Sequence, residues 1–334
     1  MTQYHDDNSN ILDSNAISPT DTDGRPIPVT IPVMLAPGIT VVYTTRLGGV
    51  SVGEAAGLNL GGKNGDNPDH VAANRVALAD AIGARLSLIS QIHSGTAVDM
   101  DDAFAENREY GFDATGGATA SHEQDTELVI EADAQVTTRR GIALGVFAAD
   151  CLPVLFADSQ AGVIGVAHCG RRGLQHGVID ETVRMMVGKG AAVERIKATL
   201  GPCICGDCYE VGEEIAAAFD AQFPGTATVT RFGGPGIDIA AAAHQALAAA
   251  GISVDNVVTS RPRVAAATQY LSEDEELAGL CRDDGEGDSD LANRMNEVRH
   301  SLCTLENPLW YSHRRSSLAN KTHEGRMLAL IVRE

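Results

Sequence analysis

Short runs of apolar and β-branched residues recur through the chain at 39–46 (ITVVYTTR), 86–92 (LSLISQI), 129–137 (VIEADAQVT), 142–148 (IALGVFA), 152–157 (LPVLFA) and 162–168 (GVIGVAH). Their length and β-branching predict strands, and their close spacing predicts a sheet core. A further strand is expected at 326–332 (RMLALIV). Helical spacing enters between these runs. A helix is expected from Pro68 to Ile82, starting at Asn67-Pro68, and another over 174–188, where Val178, Ile179, Val183, Met186 and Val187 form one apolar face. Further helices are expected at 211–220 and, Ala-rich, at 238–250. Residues 1–28 are polar and show no periodicity, which predicts an acidic disordered tail with structure beginning near Val29. No solenoid repeat interrupts this order, and no apolar stretch is long enough to span a bilayer.

Composition narrows the classes. In 334 residues, 44% hydrophobic content is enough for a substantial core in one large domain or two ordinary ones. Aromatics at 4% and a net charge of −20 disfavour both a base-stacking platform and a phosphate-backbone partner, so no nucleic-acid function is expected. The charge is localised: residues 1–25 carry −4, residues 99–127 carry −8 and residues 273–290 carry −8, leaving the remainder balanced. This predicts a tail and two acidic surface insertions, near 99–127 and 271–296, around a neutral working core. The polar, acidic start and the seven cysteines predict a cytoplasmic protein with reduced thiols.

Three positions place a metal-binding type of side chain at the end of an apolar run: His93, Cys151 and His168. Two imidazoles and a thiol suit zinc, and three protein ligands leave one position for water or substrate. The same residues also fit a Cys151 nucleophile with His168 as its base and His93 orienting the pair. A second thiol run, Cys203-Ile-Cys205-Gly-Asp-Cys208, lacks a fourth ligand at recognisable spacing and is expected to pack around a Gly-rich turn. Arg46, Arg171, Arg172, Arg314 and Arg315 lie near glycine turns, where guanidinium groups can fork onto phosphate or carboxylate oxygens.

In order along the chain, TTRLGGVSVGEAAGLNLG, GDNPDHVAANR, QIHSGTAV, ADAQVT, AADCLPVLFAD, VIGVAHCGRRG, LGPCICGDCYEVGEEI and YSHRR with GRM resemble the motifs of the YfiH family, from about Val41 to Ile331. Members were once labelled multicopper polyphenol oxidases or laccases. The resemblance implies a single mixed α/β domain over 29–334, similar to that of a bacterial toxin cysteine deamidase. It also implies a zinc-containing enzyme that phosphorolyses adenosine, inosine and 5′-methylthioadenosine and deaminates adenosine. By motif position the family's metal ligands fall on His93, Cys151 and His168. This chain departs from the family in carrying Ser94 after His93, Arg171 in place of a tryptophan, and His313 in place of a tyrosine, with a longer spacer before Gly325.

For phosphorolysis, Arg46 with Asn59, and Arg172, are the expected phosphate ligands, and Gln91, Arg314 and Arg315 complete the substrate-binding set. For deamination, Asp150 is the acid nearest a ligand in sequence and the candidate proton shuttle. Copper in place of zinc also suits imidazole and thiolate. A copper-dependent phenol oxidase is disfavoured by only ten histidines. A non-enzymatic metal-binding protein would need a fourth protein ligand, such as Cys169.

Overall fold

A computed structural model describes residues 18–117 and 128–334. The apolar runs form two face-to-face sheets. The larger contains β1 (Thr30–Ala36), β2 (Ile39–Thr44), β3 (Arg85–Ile89), β5 (Gly111–Ala114), β7 (Ile142–Ala148) and β13 (Met327–Arg333), in the order β1-β2-β13-β7-β3-β5. The smaller contains β4 (Ala97–Asp99), β6 (Ala134–Thr137), β8 (Leu152–Asp158), β9 (Val163–Cys169) and β10 (Lys197–Leu200), in the order β10-β8-β9-β6-β4. A two-stranded ribbon, β11 (Ala227–Val229) and β12 (Pro235–Ile237), stands apart. This is the mixed α/β fold that the resemblance implied.

Side-chain alternation explains the layering. Met327, Ala329 and Ile331 of β13 join Leu155 and Ala157 of β8 and Ile164 and Val166 of β9 in the core between the sheets. The alternate residues Leu328, Leu330 and Val332 pack outward with Leu78 and Ala79 of the helix Pro68–Ile82. On the far side, Leu152, Val154, Phe156 and Ala167 pack under Val178, Ile179, Val183 and Met186 of the helix Val178–Gly188. The layers are therefore helix, sheet, sheet, helix. Gln135 of β6 crosses between the sheets: it accepts from the Ser87 hydroxyl of β3 (2.6 Å) and donates to the Gly145 carbonyl of β7 (2.8 Å).

The helix at Pro68–Ile82 has its expected bounds because the Asn67 side chain accepts from the Asp69 amide and Gly83 ends it at φ 63°. The helix expected over 174–188 is instead divided into Arg171–Gln175 and Val178–Gly188, since Gly177 adopts φ 78°. The run 129–137 is also not one strand. Its first half bridges to the larger sheet through Val129 and Glu131, and its second half is β6 of the smaller one. Asp133 sits at the crossing.

Order begins before Val29: Thr20 bridges Pro26, and the Ile27 amide donates to the Pro19 carbonyl; the rest of the expected tail, 1–17, lies outside the described residues. The acidic segments are integrated into the fold rather than confined to its surface. Within 99–127, of which 118–127 lie outside the described residues, β5 is an edge strand whose Asp113 forms a buried ion pair with Arg75 (2.6 Å). Within 271–296, the helices Glu275–Asp284 and Leu291–Asn296 send Leu277, Leu280, Cys281 and Leu291 into the inter-sheet core. No described helix is long and apolar enough to cross a membrane.

Candidate metal centre

Three strand ends converge on a cleft of about 500 Å³. After β3 the backbone turns sharply at His93 (φ 61°), and between β7 and β8 it turns again at Asp150 (φ 90°) before Cys151. Left-handed conformations are costly for residues with a Cβ, so both turns need support from their surroundings. The Asp150 carboxylate receives the Thr304 hydroxyl and the Arg314 amide, each at 2.6 Å. His93 is held by its amide, which donates to Asp133 (3.0 Å), and by its carbonyl, which faces His176 Nδ1 (3.1 Å). His168 arrives from β9. The β8–β9 register pairs Leu152 with Cys169, so Cys151 comes to lie against Gly170, where an added Cβ would stand 2.7 Å from the thiol sulfur.

The ligand atoms of His93, Cys151 and His168 all lie within 4.8 Å of one another, with Cys151 Sγ 3.8 Å from His93 Nε2. Asp133 organises all but the thiol. It accepts from the amides of Ile92, His93 and Ser94 and from the Ser94 hydroxyl, and its other contact is His168 Nδ1 at 2.8 Å. That contact commits Nδ1 and leaves Nε2 of His168 to face the cluster, the arrangement by which a carboxylate fixes a metal-binding histidine.

The charges are mutually reinforcing. Burial opposes ionisation of Cys151, but His168 and His93 overcome it and bring the thiol down to about 6. Burial likewise opposes protonation of His168, but Cys151 and Asp133 raise it to about 9. Asp133 is pulled down to about 2 against its own desolvation, by His168 and the Ser94 donors. Such a preformed thiolate and oriented imidazoles can hold a metal ion from one side, with the other side open to the cleft. Cys169 does not close the set: it is buried on the opposite face of β9, in the helix-packed core, and its sulfur contacts the Ala167 carbonyl.

The other expected site residues divide. Gln91, Asp150 and Arg314 line the cleft with the cluster. The Gln91 amide is fixed by Phe147, donating to its carbonyl (2.9 Å) and accepting from its amide (2.6 Å). Arg46 lies elsewhere: it is buried and forks onto Asp284 at 2.9 and 3.1 Å. Arg315 is buried in the same group, its Nε 3.3 Å from Asp284. Both guanidiniums are consumed by a carboxylate that the sequence had assigned to a surface insertion. Asn59 is fully buried beneath the cleft loop, bonded to Gly61, Asn64, Asp66 and the Arg326 amide. Arg172 is exposed and outside the lining; its neighbour Arg171 enters instead.

Lys63 and Arg326 also line the cleft, as does His313, which pairs with Glu324 (3.2 Å). Lys63, Arg326 and Asp133 went unassigned in the sequence. For Asp133 the signal was present, since a carboxylate inside an apolar run needs buried partners.

Known proteins are similar to this chain in sequence and in fold. The chain is 40% identical over 214 residues, 63% of its own length and 79% of the other's, to "Purine nucleoside phosphorylase ORF3" of Streptomyces griseus. It is 37% identical over 232 residues, 67% of its length and 83% of the other's, to "Adenosine deaminase RL5" of an unknown prokaryotic organism. The crystal structure of the Neisseria meningitidis protein NMB0706, of family DUF152, superposes with a TM-score of 0.65 at 28% identity, covering 92% of this chain and 99% of that one. Residues 40–274 match the family described as multi-copper polyphenol oxidoreductase laccase, and the chain belongs to that family.

Proposed function

We propose that this chain is a zinc-dependent purine nucleoside phosphorylase, acting on adenosine, inosine and 5′-methylthioadenosine, with adenosine deaminase activity. The observation that carries the reading is the meeting, in one cleft, of the His93–Cys151–His168 cluster with Lys63, Arg171, Arg314 and Arg326. The names of the two relatives supply the reaction class. Two imidazoles and one thiolate match zinc in softness and number, and His168 Nε2 is presented by the Asp133 contact, so the residues fit that ion. Bound there, zinc supplies Lewis acidity.

In phosphorolysis a phosphate oxygen forms a bond to the anomeric carbon while the bond to the purine nitrogen breaks and its electron pair leaves with the base. Two demands fall on the protein. The mono- or dianionic phosphate must be held and partly neutralised, for which Lys63, Arg171 and Arg314 are the available cations, with Arg326 shared with Glu324. The sugar and base need apolar walls, which Ile89, Phe147, Ile204, Tyr209 and Ile239 supply. Gln91, immobilised by Phe147, offers a fixed amide toward the same space. Asp150 is bound by Thr304 and Arg314, so it positions the Cys151 turn and the Arg314 backbone. Arg171 in place of the family's tryptophan adds charge where that residue would add apolar area.

Product analysis of adenosine incubated with and without phosphate tests the reading. Adenine with ribose 1-phosphate, formed only with phosphate and lost in His93→Ala, is the expected result; inosine lost in the same variant marks the deaminase activity. Base release that ignores phosphate, or that survives His93→Ala, overturns it.

A further inference from the structure

The Cys203–Cys208 run does not behave as one packed unit. Cys203, Cys208 and Cys303 all border the apolar core beneath the smaller sheet, but it is Cys205 and Cys208 of the run whose sulfurs gather with a segment almost a hundred residues further on. There they meet Cys303 and Glu306, and the ligand atoms of Cys205, Cys208, Cys303 and Glu306 all lie within 4.8 Å of one another. The spacing is Cys-x-x-Cys from one segment and Cys-x-x-Glu from the other. From the geometry we infer that Cys205, Cys208, Cys303 and Glu306 form a second, structural zinc site, separate from the cleft.

The surroundings resemble a ligand shell more than a packed core. The Cys205 amide donates toward Cys303 Sγ (3.5 Å), treating that sulfur as an acceptor. The amides of Cys208 and Tyr209 both return to the Cys205 carbonyl (3.0 and 2.9 Å), closing the tight turn that lets two sulfurs of a Cys-x-x-Cys face one point. Glu306 has its side chain almost wholly buried, at 1% exposure. Its Oε2 accepts from the amides of Arg299 and His300 (3.0 and 2.8 Å), and its Oε1 accepts from the Cys208 thiol (3.5 Å), with the Arg231 guanidinium 3.9 Å away. A thiol at 3.5 Å and a partly exposed guanidinium at 3.9 Å compensate a buried carboxylate oxygen only weakly, and a cation held between it and the thiols would supply the missing charge. Apolar packing alone accounts for Cys169, Cys203 and Cys281; Cys208 and Cys303 also border the apolar core under the smaller sheet, but their sulfurs meet a buried carboxylate that such packing does not explain.

The donor set selects the ion. Three thiolates and one carboxylate make a soft, four-ligand site suited to zinc and poorly suited to calcium or magnesium. Bonds of about 2.3 Å to sulfur give tetrahedral edges of about 3.8 Å, which the cluster reaches with small adjustments. Protein fills all four positions, the mark of a structural site. Cys205 and Cys303 also border a second cleft of about 490 Å³, which gives the ion a route in. The ion would clasp two segments that both serve the catalytic cleft: one carries Ile204 and Tyr209 to its wall, and the other leads through Thr304, which holds Asp150, to His313 and Arg314.

Elemental analysis of the full chain carrying His93→Ala and Cys151→Ser together isolates this site. One zinc per chain retained in that protein, and lost when Cys208→Ser is added, is the expected result. Glu306→Gln, which keeps an acceptor for the Arg299 and His300 amides, should weaken zinc retention against a chelator at least tenfold while preserving the fold. Loading the double variant with cobalt should give the intense near-ultraviolet charge-transfer absorption of several thiolate ligands. A double variant that holds no zinc and shows no such absorption, or a Cys205–Cys303 or Cys205–Cys208 disulfide in protein purified under reducing conditions, overturns the inference.

Discussion

The molecule gathers thiols and their partners twice, and the two clusters are built on opposite plans. His93, Cys151 and His168 come from three strand ends, line a cleft, and place the exposed His93 beside the buried His168. Cys205, Cys208, Cys303 and Glu306 come from two loops, with all but Cys205 buried. The first faces an open cleft lined by cations; the second gathers three thiols and a carboxylate among backbone amides. An open set on a rigid sheet suits chemistry, and a closed set joining loops suits architecture. Loss of the first should therefore appear in turnover, and loss of the second in stability.

The largest effect expected is a control that lies in neither cluster. Asp284 neutralises Arg46, Arg294 and Arg315 at 2.9, 3.0 and 3.3 Å, all of them buried. Asp284→Asn leaves three buried cations without their counter-charge and should cost about 3–5 kcal/mol by denaturant unfolding, with turnover of the remaining folded fraction unchanged. Next is Asp133→Asn, which keeps the shape of the side chain but loses the charge that orients His168 and the His93 turn. A 10–100-fold fall in metal affinity or turnover is expected, since outer-shell partners of metal ligands typically contribute about that much. A smaller loss, roughly tenfold in metal retention, is expected for Gly170→Ala, whose Cβ would press on the Cys151 sulfur.

The smallest effect separates the clusters by pH. In chelator-treated protein Cys151 ionises near 6 and His168 loses its proton near 9, so between these values the pair is thiolate and imidazolium. The unfolded chain would lose one proton near 6.5, from histidine, and one near 9, from cysteine. Between those values the stability that Cys151 gains as pH rises cancels what His168 loses, so the pair changes stability little with pH. Its signature is reactivity. Alkylation of Cys151, followed by peptide mapping, should rise through about pH 6, and added zinc should suppress it.

How much of this was legible in the sequence depends on how local each feature is. The strands from 142 to 169 were readable because alternation in each run reports its own two faces. That His93, Cys151 and His168 meet in one cleft was readable for a related reason, each sitting at the end of such a run. Asp133 carried a signal, a carboxylate within an apolar run, but its partners were not readable because that run serves two sheets and the residue occupies the crossing. Arg46 and Arg315 looked like free cations beside glycine turns; their fate was decided by Asp284, 238 residues from Arg46. Likewise the fourth ligand missing from the Cys203–Cys208 run was absent only from its neighbourhood, since Cys303 and Glu306 are brought in by tertiary structure.

The most direct test is the rate of phosphate-dependent purine release by Cys151→Ser, compared with the unaltered chain at equal folded concentration. A loss of at least about 100-fold, larger than that typical of an outer-shell partner and with the unfolding midpoint almost unchanged, is the expected result. Release at the original rate would contradict the assignment of the cleft cluster as the centre of catalysis.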